Sequence, residues 1–385
     1  MGISPKLFLD HLLNNDINFF TGVPDSLLKY LCLCIDKNER TKDSHIIAPN
    51  EGSAIALAAG HYLGTNKIPV VYMQNSGLGN AVNPLLSLVD PDVYSIPMLI
   101  LVGWRGEPLK KDEPQHIKQG KIQLSLLESM GLQYDIISSD SDNYKSIIDK
   151  ALNDAKKNLS PYVILIKKNT FAEFKNEKKT NLKEKLTLTR EGVLEKIIEN
   201  ISNESIIIST TGKTSREIFE IRENKQQSHE NDFLTIGSMG HSSSLALGIA
   251  RSNPNIDVYC IDGDGSMIMH MGSLSMIGQQ MPKNFNHILI NNFVHESVGG
   301  QKTASNIIDF HLLSKSMNYR SYSLVDDESS LNEAINNLNK NLIGPSFFEI
   351  QVQPGSRSNL GRPTTTPKQN KIDLMFKING LSKTK

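Results

Sequence analysis

Apolar runs of four to seven residues recur along the chain, separated by stretches with helical periodicity. Residues 17–20, 45–48, 69–73, 97–102 and 162–166 form one set, and residues 205–209, 257–261, 287–290 and 346–352 form a second. Continuous apolar strands alternating with helices predict parallel sheets covered on both faces. Between the sets, residues 167–190 carry seven lysines and few core-sized side chains, the pattern of a solvated linker. The expected division is a first domain over 1–168, a linker over 169–190, a second domain over 191–353, and an extended tail over 354–385 whose first half is rich in Pro, Gly, Ser and Thr.

The two sets repeat each other. Sliding the sequence by 188 positions places Leu57 on Leu245, Ala58 on Ala246, Gly60 on Gly248, Val70 on Val258 and Gly77 on Gly265. An Ala-rich helix, a strand and a turn then recur in the same order, which predicts a duplicated α/β domain. The fold class expected is two related doubly wound parallel-sheet domains.

Composition narrows the function. The 385 residues hold 41 Lys+Arg against 41 Asp+Glu, so the net charge is zero. Binding of nucleic acid or of an anionic membrane depends on a cationic surface, and neither is expected. The longest uncharged stretch, residues 68–89, includes Gln74, Asn75, Asn80, Asn83 and Pro84, too polar for a membrane span. The first residues lack the apolar core of a signal peptide, and Cys32, Cys34 and Cys260 have no metal-ligand spacing, so a reducing cytoplasm is the expected setting.

The strongest local signal is Ile261-Asp262-Gly263-Asp264-Gly265-Ser266 after a strand, followed by a helical stretch, another strand and the pair Asn291-Asn292. Ligands bind at the carboxyl ends of parallel strands. Gly263 and Gly265 permit close backbone approach, and amides entering a helix hold phosphate oxygens. Asp264 and Asn292 offer a carboxylate and an amide oxygen to one Mg²⁺, a hard ion that bridges diphosphates. Taken alone, Gly-Asp-Gly is also an ordinary tight turn. In the first half, Asn50-Glu51-Gly52 leads from a strand into an Ala-rich helix over residues 53–63, where Glu51 by itself reads as a first-turn acid. Thr210-Thr211-Gly212-Lys213-Thr214 follows a strand but has Ile207 where a phosphate-binding P-loop needs glycine, so a kinase or ATPase is excluded.

Together these motifs resemble the thiamine diphosphate enzymes, whose signature is Gly-Asp-Gly, a spacer of about this length, then Asn-Asn. The resemblance implies the thiamine diphosphate-binding fold, with a pyrimidine-binding first domain, a diphosphate-binding second domain and no third domain between them. It implies Mg²⁺ held by Asp264, Asn292 and the carbonyl of Val294, with Asn291 or Asn292 as the amide ligand. Glu51 would bind N1′ of the aminopyrimidine and activate the cofactor. Met239 would hold the cofactor bent, the Gly237 carbonyl would accept from its amino group, and Thr211, Gly212, Gly265 and Ser266 would line the diphosphate. Such enzymes build each site from two subunits, so a homo-oligomer, at least a dimer, is implied.

Three further segments look closest to the phosphonopyruvate decarboxylases: Gly22-Val23-Pro24-Asp25-Ser26, the run from Tyr72 to Asn80, and Gly103-Trp104-Arg105-Gly106-Glu107-Pro108 with Asp112-Glu113-Pro114-Gln115-His116. That resemblance implies decarboxylation of 3-phosphonopyruvate to phosphonoacetaldehyde and CO₂, in phosphonate biosynthesis. Sulfopyruvate or another small 2-oxo acid is the alternative substrate; a Mg²⁺-dependent nucleotide transferase and an inactive scaffold are remoter alternatives. Residues 104–121 hold five Lys/Arg against three acids, suited to an anionic substrate. Arg105, with its planar fork of donors, is the best candidate to grip it, with Lys110 and Lys111 beside it. Asp25 and His116 are candidate catalytic proton handlers, as are His295 and Glu296; Asp25 also reads as the N-cap of a helix over residues 26–35.

Overall fold

A computed structural model describes residues 2–174, 186–338 and 343–380. The chain divides into two compact units, Met1–Lys179 with Ser297–Gln301, and Thr180–Glu296 with Lys302–Lys385. Half of the expected linker, residues 175–185, lies outside the described residues. The ends of that stretch belong to the units: Phe171 bridges to Ile3 in the first, and Leu188 is buried in the second.

The first unit is a six-stranded sheet of β1 (Phe20–Gly22), β2 (His45–Ile47), β3 (Val70–Gln74), β4 (Leu99–Gly103), β5 (Gln133–Ile137) and β6 (Tyr162–Ile166). The second is a six-stranded sheet of β7 (Ile206–Ser209), β8 (Asp232–Leu234), β9 (Val258–Gly263), β10 (Phe285–Asn291), β11 (Ser321–Val325) and β12 (Ser346–Gln351). All pairings within both sheets are parallel. The spatial orders, β2-β1-β3-β4-β6-β5 and β8-β7-β9-β10-β12-β11, are the same topology, so the expected duplication is a duplication of fold. Each sheet reverses direction of winding between its first and third strands, the place where doubly wound sheets open a crevice for ligands.

Alternate residues of one strand feed opposite faces. Val70 and Tyr72 join one core layer of the first unit while Val71 and Met73 join the other; Tyr259 and Ile261 are separated from Val258 and Cys260 in the second unit in the same way. Sheets buried on both sides explain why the central strands read as unbroken apolar runs. The strands that the runs did not reveal, β5, β8 and β11, all lie at sheet edges.

Three expectations are corrected. The helix expected over 53–63 is Glu51–Thr65, because the Asn50 side chain accepts from the Ser53 N–H (2.8 Å) and caps it two residues earlier. The helix expected over 26–35 is Lys29–Lys37, because Asp25 ties the N–H groups of Leu27 and Leu28 into a preceding turn. The tail is not extended throughout: Thr366 caps a helix, Pro367–Asn379, and Gly380 ends it in the left-handed conformation. Leu374 of that helix enters the second unit's core, and Asn370 accepts from the Leu234 N–H (3.1 Å) and donates to the Asp232 carbonyl (2.6 Å). Those contacts cover the exposed edge of β8. No helix among the described residues is long and apolar enough to cross a membrane.

Candidate active site

In the first unit, Glu51 is the first residue of its helix and is buried. Asn80 donates from Nδ2 to Glu51 Oε2 (2.7 Å). The turn Asn75–Gly77 after β3 passes directly beneath the carboxylate: a Cβ on Gly77 would stand 2.2 Å from Glu51 Oε1. Glycine is therefore required there for Glu51 to adopt this position.

Asp25 follows β1 and is fully buried. Its Oδ2 accepts from the Leu27 and Leu28 N–H groups (2.9 and 3.3 Å), and its Oδ1 accepts from Gln74 Nε2 (2.6 Å). Ser76 donates to Gln74 Oε1 (2.8 Å) and so fixes which end of the Gln74 amide faces Asp25. Burial raises the Asp25 pKa, and the hydrogen bonds from Gln74 and Leu27, with the charge of Arg105, only partly offset it. Arg105 donates from Nε to Asp112 Oδ2 (2.8 Å), pairs a second time through Nη2, and donates from Nη1 to Ser26 Oγ (3.0 Å). Burial pushes the Asp112 pKa up, but these bonds, with that of the Gly106 N–H, outweigh it and leave the carboxyl below its ordinary value. His116 is buried nearby; burial first, then the Arg105 charge, lowers it to about 4, and its Nδ1 has no hydrogen-bond partner among the described residues. Lys110 and Lys111 are exposed on their loop.

In the second unit, parallel pairing of β9 with β10 aligns Gly263 with Ile290, which sets Asp264 beside the Asn291–Asn292 pair at the strand ends. Asp264 is buried, and its Oδ2 accepts from Thr303 Oγ1 (2.5 Å) and Ser305 Oγ (2.9 Å). Burial raises the Asp264 pKa despite these donors. The Thr303 N–H donates to the Phe293 carbonyl (3.0 Å), tying the Asp264 support to the strand end that carries Asn292. Asn291 turns inward, donating to Glu349 Oε1 (3.0 Å) and accepting from the Phe293 N–H (3.2 Å). Asn292 donates to Glu296 Oε2 (3.1 Å) and accepts from the Val294 N–H (3.1 Å). Val294 is buried. A buried carboxylate, an amide oxygen and a backbone carbonyl are all hard oxygen donors, the set that Mg²⁺ takes.

The loop before the helix Ser242–Ser252 is sewn to this turn. Ser266 Oγ accepts from the Gly240 N–H (3.0 Å) and from Thr210 Oγ1 (2.9 Å), so its hydroxyl joins three strand ends. Gly240 has φ +87°, and a Cβ there would stand 2.6 Å from the His270 ring. Gly237 and Met239 are partly exposed beside it. Thr211 is partly exposed, and Gly212 (φ +76°) precedes the helix Lys213–Asn224 with open space around its Cα. The His295 ring faces Gly265, where a Cβ would stand 3.1 Å away, and burial lowers this histidine to about 4. Glu296 is bound on both oxygens, by Lys213 (2.6 Å) and Arg190 (2.9 Å); burial raises its pKa, but these cations outweigh it and hold the carboxyl below its ordinary value.

Several of these groups are not visible as motifs. Asn80 and Gln74 lie in a recognised segment without a role of their own, while Thr303 and Ser305 reach Asp264 from 39 and 41 residues away, a separation no local pattern marks. A different cluster, Cys260, Asp262 and His287, brings one ligand-type atom each to within 4.8 Å of one another. All three are enclosed in the core, with His287 Nδ1 3.0 Å from Tyr319 Oη.

Comparison with known proteins identifies the family. Residues 5–126 match the thiamine pyrophosphate enzyme N-terminal TPP binding domain, and residues 210–350 match the C-terminal TPP binding domain. A phosphonopyruvate decarboxylase of Streptomyces viridochromogenes is 32% identical over 90% of this chain and 87% of its own length. A phosphonopyruvate decarboxylase of Streptomyces hygroscopicus is 30% identical over 95% of this chain and 91% of its own. A sulfopyruvate decarboxylase of Methanosarcina acetivorans is 27% identical over 80% of this chain and 81% of its own. The two duplicated sheets and this similarity along nearly the whole chain place the protein among the thiamine pyrophosphate enzymes, as a thiamine diphosphate-dependent decarboxylase related to phosphonopyruvate and sulfopyruvate decarboxylases.

Proposed function

We propose that the protein decarboxylates 3-phosphonopyruvate to phosphonoacetaldehyde and CO₂, as a step in phosphonate biosynthesis, using thiamine diphosphate and Mg²⁺. The observation that carries the substrate assignment is the similarity to two phosphonopyruvate decarboxylases at 32% and 30% identity over 90% and 95% of the chain. Sulfopyruvate is the second reading, favoured by the 27% identical relative. Unpaired, buried Cys32, Cys34 and Cys260 fit a reducing, cytoplasmic setting. A homo-oligomer of at least two chains is part of the proposal, with Glu51 and Asp264 of different subunits serving one site.

Bound thiamine diphosphate supplies the nucleophilic carbon and electron sink that a 2-oxo acid lacks for loss of CO₂. The protein's residues hold and orient it. Asp264, Asn292 and the Val294 carbonyl would carry the metal; each amide oxygen of the Asn pair accepts one backbone N–H, and Asn292 is preferred because Asn291 is turned into the core against Glu349. Thr211 and Gly212, with the N–H groups of Gly265 and Ser266, would receive diphosphate oxygens, while Gly237 and Met239 would set the cofactor's bend. Glu51 would hold a proton at N1′. Arg105, its plane fixed by Asp112, would face the substrate's anionic group, and exposed Lys110 and Lys111 would add to the positive field. His116, neutral near pH 7 and with an uncommitted Nδ1, is better suited to move a proton than Asp25, whose oxygens already accept from Ser26, Leu27, Leu28 and Gln74.

The test is to offer phosphonopyruvate, sulfopyruvate and pyruvate to the purified protein with thiamine diphosphate and Mg²⁺, and to compare CO₂ release. The expected result is the highest kcat/KM on phosphonopyruvate. Preference for sulfopyruvate would replace the substrate, and release from none of them would sink the reading.

A further inference from the structure

We propose that Asn80 is a positioning residue for Glu51, holding its carboxylate in the orientation that activates the cofactor. The inference rests on the proposed role of Glu51 and extends it to a neighbour that no motif assigns. Three contacts set Glu51. Asn80 Nδ2 donates to Oε2 at 2.7 Å. The other oxygen lies over Gly77, where any Cβ would intrude to 2.2 Å. The helix Glu51–Thr65 approaches the helix Leu78–Ser87 so closely that a Cβ on Gly52 would stand 2.8 Å from the Asn80 carbonyl. The glycines create the space, and Asn80 supplies a side-chain donor to the carboxylate.

The chemistry suits an amide. A carboxylate that must take and return a proton needs a fixed direction, and a charge-assisted hydrogen bond to one oxygen supplies it. An Asn donor does not titrate, so it orients Glu51 without competing for the proton, as a lysine or histidine would. Replacing it with Ala frees the carboxylate to rotate; replacing it with Asp keeps the shape but sets an anion against an anion.

The experiment uses the full chain with thiamine diphosphate and Mg²⁺ and follows exchange of the cofactor's C2 proton with solvent deuterium, alongside cofactor Kd and melting temperature. Asn80→Ala should slow exchange about ten- to hundredfold, the range for losing a hydrogen bond to a charged group, with Kd nearly unchanged. Asn80→Asp should slow it more than Asn80→Ala does, and Asn80→Ser, which keeps a donor, should recover part of the rate. If Asn80→Asp exchanges like wild type, shape alone matters and the proposal is overturned. Loss of cofactor affinity in step with exchange in Asn80→Ala would overturn it as well. Glu51→Gln separates the two claims: normal exchange there removes the Glu51 reading itself, whereas slow exchange there with normal exchange in Asn80→Ala removes only the role of Asn80.

Discussion

The two units are one fold written twice, yet the acid that each presents stands at a different junction. In the first, Glu51 opens the helix after β2, and the turn after β3 carries Ser76 and Gly77. Moved by 188 positions, Glu51 falls on Met239, and Ser76 falls on Asp264. The second unit therefore places its acid where the first has a hydroxyl, and an apolar side chain where the first has an acid. The supports differ in kind as well. Glu51 accepts from one amide, whereas Asp264 accepts from two hydroxyls and is the carboxylate proposed to meet a cation. A shared frame supplies two crevices, and on the proposed reading residues at different strand ends divide the work between activating a cofactor and anchoring it.

That contrast predicts its own failures. The largest effect expected is on Glu51→Gln, which should lose about a thousandfold in turnover, the scale of general acid–base catalysis, because an amide cannot exchange a proton. A steady-state assay at saturating cofactor checks it, and wild-type turnover would falsify the assignment. Next, Thr303→Val should weaken Mg²⁺ affinity about ten- to hundredfold, the usual cost of removing a group that orients a metal ligand. Calorimetric titration with Mg²⁺ at fixed cofactor reads this, and the matching Asn80→Ala variant should leave metal affinity unchanged.

The depth to which the sequence discloses this arrangement follows burial. Central strands, sealed on both faces, are written in apolar residues and are legible; β5, β8 and β11 lie at edges, where polar residues are tolerated. The tail helix has its signals in Thr366, Pro367 and Gly380, but only Leu374 is buried, so the apolar pattern does not reveal it. Of the site, the residues on turns after strands are readable because glycine and acid sit together there. Their supports are not, since Asn80, Thr303 and Ser305 are ordinary polar residues whose meaning depends on what the fold brings against them.

A smaller effect is expected at Arg105. Asp112→Asn removes the charge that fixes the guanidinium plane, so KM for phosphonopyruvate should rise about tenfold, the worth of one modest charged hydrogen bond, with little change in cofactor affinity. Equal loss on pyruvate would assign Arg105 to the carboxylate instead. The smallest is a stability effect shared by both units. Burial lowers His45 to about 4 and His287 to about 3. Below the ordinary histidine value of about 6.5, the unfolded chain binds these protons and the native one does not, so these groups make stability fall as pH drops from about 6.5 toward 4. Melting temperatures measured across that range should fall less steeply in His287→Gln than in the parent; equal slopes would count against the buried neutral imidazole.

The division of labour is tested most directly by titrating thiamine diphosphate, at fixed Mg²⁺, into Glu51→Gln and Asp264→Ala side by side. Cofactor affinity should stay near the parent value in Glu51→Gln and fall at least about a hundredfold in Asp264→Ala, which removes the proposed metal ligand itself rather than its support. Equal losses in the two variants, or the larger loss in Glu51→Gln, would contradict the account.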